Sequence, residues 1–193
     1  TSTRATTENV SASGTVYNTP SSAAGSDISQ CATSSFTMAA TSPSFGTGAW
    51  SVTSGSASIS NSSSNTSGVT GVSAGASATL RWTVSNGSCT AATDDVVITN
   101  NNNPTANAGS DVSKCGSAGT SLSASASGGS GGSYTYSWSP STGLSATNVA
   151  GPTASHSSTE TYTVTVTDGN GCTSTDAVVV TVEAAPSWAN FQH

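Results

Sequence analysis

The chain has 193 residues, room for two small domains, and only 6% of them are charged, against about 25% in an ordinary soluble domain. Net charge is −6, and Arg4, Arg81 and Lys114 are the sole cations, which leaves no basic stripe for nucleic acid or for an anionic membrane surface. There is no apolar run of the roughly 18 residues a spanning helix needs, and a chain that opens on Thr1 without a leader reads as a mature or excised segment.

Residues 1–22 form an N-terminal arm in which Val10, Ala12, Gly14 and Val16 alternate like a strand without a partner. Residues 23–100 are expected to form a first β-sandwich. Its strands are read at 35–40, at Gly48-Ala-Trp-Ser-Val52 and at 78–85, where Leu80, Trp82 and Val84 share a face. Asn86-Gly87 makes a hairpin turn, and 96–99 is the return strand. A polar linker is expected over 100–103.

Residues 101–183 repeat the plan. After an opening segment at 104–109 come a short strand at 111–115, an alternating one at 120–126 and a flexible loop at 128–132. Tyr134-Thr-Tyr-Ser-Trp138 alternates aromatic and small polar residues, and 139–143 turns on Pro and Gly. Thr161-Tyr-Thr-Val-Thr-Val-Thr167 puts Tyr162, Val164 and Val166 on one face, Asp168-Gly-Asn-Gly171 turns, and 177–182 returns. About seven short strands without a helical period predict an all-β chain of tandem antiparallel sandwiches. Residues 184–193 are a tail, or the start of a further repeat, since Pro186-Ser-Trp-Ala-Asn190 echoes Pro104-Thr-Ala-Asn107.

The duplication is written out in one phrase. Ala24-Gly-Ser-Asp-Ile-Ser-Gln-Cys31 returns 84 residues later as Ala108-Gly-Ser-Asp-Val-Ser-Lys-Cys115. Cys31 is followed by Cys89 after 58 residues and Cys115 by Cys172 after 57. Four cysteines with no CxxC pair and no neighbouring histidine read as disulfides of an oxidising compartment. Of the three possible connectivities, repeat symmetry favours Cys31–Cys89 and Cys115–Cys172. Trp50 and Trp138 hold equivalent places and read as core rather than as sugar-stacking platforms, as do Trp82 and Tyr162.

Candidate chemistry is thin. Asp94, Asp95, Asp168 and Asp176, with Asp27 and Asp111, are the carboxylates that could converge on calcium, but aspartate in turns caps its own backbone first. Ser/His/Asp combinations around His156 carry no weight in so serine-rich a chain, and His156 is expected in an exposed loop. No catalytic residue and no cofactor is expected.

The strings Ala106-Asn-Ala-Gly-Ser-Asp111, Tyr134-Thr-Tyr-Ser-Trp138 and Thr161 to Asp168, followed by Gly171-Cys172, resemble a PKD-like, immunoglobulin-like repeat of large secreted surface adhesins of gliding and biofilm-forming bacteria. Ala78-Thr-Leu-Arg-Trp82 and Asn86-Gly-Ser-Cys89 are similar to a sister type in the same proteins. The resemblance covers about residues 24–183. It implies two immunoglobulin-like (PKD-like) sandwiches exported to the cell surface, and it carries no catalytic residue. The chain departs from true immunoglobulins in having Gly87 and Asn170, not Tyr, two residues before the second cysteine. Each disulfide is therefore expected to clamp a first short strand to the last one near a sheet edge.

The function expected is a non-catalytic, disulfide-stapled stalk of an extracellular adhesin or fibre. Its partners would be further copies or neighbouring repeats, met through Val10 and Val16 at one end and Trp188 and Phe191 at the other. The alternatives are a carbohydrate- or ligand-binding module, facing a surface glycan or host ligand, and an accessory part of a secreted hydrolase.

Overall fold

The computed structural model describes residues 17–183, all of them in strands, turns and loops with no helix. The expected contact residues Val10, Val16, Trp188 and Phe191 lie outside the described residues.

The first module contains β1 (Ile28–Cys31), β2 (Ser35–Thr37), β3 (Thr47–Ser54), β4 (Ser58–Ile59), β5 (Gly68–Thr70), β6 (Ala76–Ser85) and β7 (Ala92–Asn101). One sheet runs β1-β7-β6-β3 and the other β2-β5-β4. The second module contains β8 (Pro104–Asn107), β9 (Val112–Cys115), β10 (Thr120–Ser121), β11 (Ser125–Gly128), β12 (Tyr134–Ser139), β13 (Thr153–Ala154), β14 (Glu160–Asp168) and β15 (Thr173–Glu183). Its larger sheet runs β12-β14-β15-β9, faced by the pairs β11-β8 and β10-β13. These are two tandem immunoglobulin-like β-sandwiches.

Alternation builds each core. In β6 the buried set is Ala78, Leu80, Trp82 and Val84; in β14 it is Tyr162, Val164 and Val166. Trp50 and Trp82 pack with their rings tilted by 46° and centroids 5.1 Å apart in the first core. In the second, Trp138 donates from its indole to the Val149 carbonyl (2.9 Å), and the Tyr162 hydroxyl donates to the Thr142 carbonyl (2.8 Å). All four rings are at most 4% exposed.

The repeated Ala-Gly-Ser-Asp phrase marks the place where the opening segment of each module crosses from one sheet to the other. Ala24 and Ala108 fill the core. Gly25 and Gly109 turn the chain at φ +94° and +86°, where a side chain is strained. Asp27 then accepts from the Val97 N–H and Asp111 from the Val179 N–H, both at 2.8 Å, which fastens β1 to β7 and β9 to β15. From the far side Asp94 accepts from the Ala24 N–H (2.7 Å) and Asp176 from the Ala108 N–H (2.8 Å).

The within-repeat cysteine pairing is corrected by the direction of β1 and β9, which run parallel to β7 and β15. Cys31 lies opposite Asn101, at the far end of β7, whereas Cys89 precedes the start of that strand. At about 3.3 Å per residue the two ends of a ten-residue strand are about 30 Å apart, well beyond the roughly 7 Å that a disulfide tolerates between Cα atoms. The same holds for Cys115, opposite Glu183, and Cys172, which precedes β15. The disulfide is Cys31–Cys172, joining one module to the other. The expected linker is also shorter than read: Asn100 and Asn101 belong to β7 and are buried, which leaves Asn102 and Asn103 between the modules.

Candidate functional site: the joint between the modules

The joint is built from the exit end of β7, the end of β1 and the β14–β15 turn. Asn100, 1% exposed, uses its side chain three times: its oxygen accepts from the Thr33 N–H, and its amide donates to the Thr33 and Val72 carbonyls. Asn101 donates to the Ser29 hydroxyl (2.7 Å) and accepts from the Asn170 side-chain amide (3.2 Å), a hydrogen bond across the joint. A second crossing bond runs from the Asn102 N–H to the Ser130 hydroxyl (2.9 Å). Two amide side chains, a serine and the Cys31–Cys172 bond thus fix the modules at separate points.

Asp168 organises the turn that carries Cys172. One carboxylate oxygen accepts from the N–H groups of Asn170 and Cys172 (2.9 Å each), the other from those of Ser130 (3.2 Å) and Gly131 (3.1 Å). Burial opposes its ionisation, but the four backbone donors at Cys172, Gly131, Asn170 and Ser130 outweigh that and hold the carboxyl below the ordinary aspartate range. Acting together, these bonds lock Cys172, 1% exposed, where Cys31 meets it with a Cα separation of 5.5 Å.

The other carboxylates considered for calcium are engaged in the same way. Asp94 and Asp176 cap backbone N–H groups, and Asp95 forms a bidentate pair with Arg81 at 2.7 Å on the surface. That pair lowers the Asp95 carboxyl through the hydrogen bond from Arg81, and it raises the guanidinium. Among the described residues no three of His, Cys, Asp and Glu are placed to share a metal ion. His156 corrects the reading of an exposed loop. It is half-buried against Tyr162 with ring centroids 5.7 Å apart, and its carbonyl accepts from Lys114 Nζ at 2.7 Å. Lys114, itself 8% exposed, also donates to the Ala118 carbonyl, so it ties two loops together.

A shallow cleft of about 230 Å³ lies beside the β8–β9 crossing, lined by Gly109, Val112, Leu122 and Val178 among others and by no aromatic ring. It is smaller than the roughly 300–1,000 Å³ of ordinary ligand pockets. Sequence reasoning missed Asn100, Asn101, Ser130 and the role of Asp168. The Asn run at 100–103 was a signal, read as linker because asparagine is so common in loops.

No protein-family model matches the sequence, and no curated protein matches it either. Solved structures do. The chain is similar to a structure of Sidekick-1 immunoglobulin domains 1–4, with TM-score 0.53 and 11% identity, over 89% of this chain and 50% of that one. It is similar to Sidekick-1 immunoglobulin domains 1–5 with TM-score 0.53 and 10% identity, over 88% of this chain and 40% of that one. The chain therefore spans half or less of those chains' length. At such identities the likeness is one of fold, an immunoglobulin-like tandem.

Proposed function

We propose that the chain is a non-catalytic structural segment of an extracellular bacterial adhesin or fibre, stacking immunoglobulin-like modules into a rigid stalk and associating with further copies or repeats. The observation that carries this reading is the covalent joint: a disulfide and two side-chain hydrogen bonds span modules already separated by only two residues. Clamping modules end to end gives a spacer the fixed orientation it needs. The disulfide favours an oxidising, extracellular setting. The PKD-like strings favour a bacterial surface. Among the described residues Trp50, Trp82 and Trp138 are buried and no aromatic ring lines the small cleft, which weighs against a sugar-binding groove there.

Small-angle scattering tests the stalk. The oxidised chain is expected to give one narrow distribution of maximum dimension, and the Cys31→Ser, Cys172→Ser double variant a broader one that reaches shorter values. A broad distribution already in the oxidised chain would mean that the joint sets no orientation, and the stalk reading would fail. Binding of the intact chain on a glycan array would favour a recognition module instead.

A further inference from the structure

The two cysteines outside the disulfide, Cys89 and Cys115, occupy the same places in the repeat as the two inside it. Cys115 ends β9 opposite Glu183, as Cys31 ends β1 opposite Asn101. In both modules the next residue takes a left-handed conformation, Ala32 at φ +42° and Gly116 at +59°, and its N–H points back to the last strand's carbonyl, Asn101 or Glu183. Cys115 is exposed there. In the first module, Cys89 follows the β6–β7 turn as Cys172 follows the β14–β15 turn.

A second, independent observation concerns the chain that enters the first module. Tyr17 and Asn18 stand 84 residues before Asn101 and Asn102, and Asn18-Thr19-Pro20 matches Asn102-Asn103-Pro104 in spacing. They also meet the equivalent turn. Asn86, the counterpart of Asn170, donates its side-chain amide to the backbone carbonyl of Asn18 (2.8 Å), one residue beyond the counterpart of Asn101, whose side-chain oxygen accepts from Asn170 (3.2 Å). The Cys89 thiol lies 3.6 Å from the Tyr17 carbonyl. The entry of module one is thus already shaped like the joint that module two makes with module one, but without the partner cysteine beside it. Pro20 is buried at the module's start, as Pro104 is.

We propose that Cys89 and Cys115 are the open halves of the same joint, so that Cys115 of one unit bonds to Cys89 of the next module of this repeat type and the Cys31–Cys172 pattern continues from unit to unit. This rests on the stalk reading, in that the modules must stack end to end, and it adds the covalent residue at each end and the identity of the partner. Closure oxidises two thiols. One S–S bond forms between Cys115 and Cys89, and the two hydrogens and two electrons pass to a small-molecule disulfide, which leaves as two thiols. The next module is either a separate copy of this chain or a neighbouring repeat of a longer one. The chemistry is the same: a module end that presents the complementary cysteine on an equivalent strand end or turn.

Two arms separate these sources. In the first, the 193-residue chain is held at high concentration in a reduced and oxidised glutathione buffer and run on a non-reducing gel. A ladder of multimers that collapses with dithiothreitol, with a Cys89–Cys115 peptide found by mass mapping, is the result expected for separate copies. A mixture of Cys89→Ser and Cys115→Ser chains then stops at the dimer. In the second arm, residues 1–185 are followed directly by residues 20–193, which keeps the two-residue spacing of the natural joint. A Cys115–Cys89 link found only there assigns the joint to consecutive repeats. The proposal is overturned if neither arm yields that link, or if mapping finds Cys89–Cys89 and Cys115–Cys115 instead. Mapping of the unmutated sequence carries the result even if a variant misfolds. The scattering test above reads the joint inside one chain, so the stalk reading survives a negative outcome here.

Discussion

Asp168 is a single carboxylate that replaces a whole turn's worth of backbone pairing, and its neutral analogue cannot do the same work. In Asp168→Asn the side-chain oxygen can still accept, but the amide nitrogen faces N–H groups that have nowhere else to go. We expect the melting midpoint of the second module to fall by roughly 5 °C, measured calorimetrically. The acid behaviour follows from the same bonds. The folded carboxyl titrates below the ordinary value of 3.8, so its contribution is complete above that pH and is lost as pH falls through the folded value. The gap between the native chain and Asp168→Asn should therefore close below about pH 4, the region of the ordinary aspartate pKa. If the gap were constant down to strong acid, the carboxylate would not be the cause. Gly109 offers a second test. A methyl group there meets a left-handed backbone and sits 3.0 Å from the Ser123 carbonyl oxygen, so Gly109→Ala is expected to cost about 1–2 kcal/mol in denaturant unfolding while Ser110→Ala is neutral.

At the scale of the strand, direction decided what sequence could not. The strong alternation of 78–85 and 161–167 carries its own answer, because Leu80, Trp82, Tyr162 and Val164 can be buried only if every second residue faces in. The turns at Asn86-Gly87 and 168–171 are legible for the same local reason. The short strands β1 and β9 are not. Four residues carry no mark of whether they will lie parallel or antiparallel to a strand some 70 positions away, yet that choice moves Cys31 from one end of the module to the other. Repeat symmetry was no help, since it is satisfied as well by cysteines paired from one repeat to the next, which leaves one open at each end of the array. The candidate site was hidden for this reason: it lies between modules, and its asparagines look like linker. Closing a loop with a sequence separation of 141 restricts the unfolded chain by about 5 kcal/mol on the chain-entropy argument. The Cys31→Ser, Cys172→Ser double variant should thus unfold at lower denaturant, with the modules separating into two transitions, while Cys89→Ser and Cys115→Ser leave the curve where it was. A single unchanged transition in the double variant would show that the hydrogen bonds of Asn101, Asn102 and Asn170 suffice.

The whole molecule is two sandwiches of one plan, turned into a unit by a bond that belongs to neither. Each core is modest, with valines and alanines around two or three rings, and each opening segment is capped by an aspartate from the last strand. Toughness of such a body comes from how it is connected. If the molecule is pulled between residues 17 and 183, the covalent path of tension runs from Tyr17 to Cys31, crosses the sulfur bridge to Cys172 and leaves by β15. Strands β2 to β14, most of both modules, hang from that path as a closed loop and bear no load along the backbone. In a single-molecule extension the oxidised chain should yield only the short lengths on either side of the bridge. Under reduction it should yield about 490 Å more, the contour of the 141-residue separation at about 3.5 Å per residue. A fibre made of such units would stretch little before breaking in an oxidising medium, and would become long and compliant when its bridges are reduced.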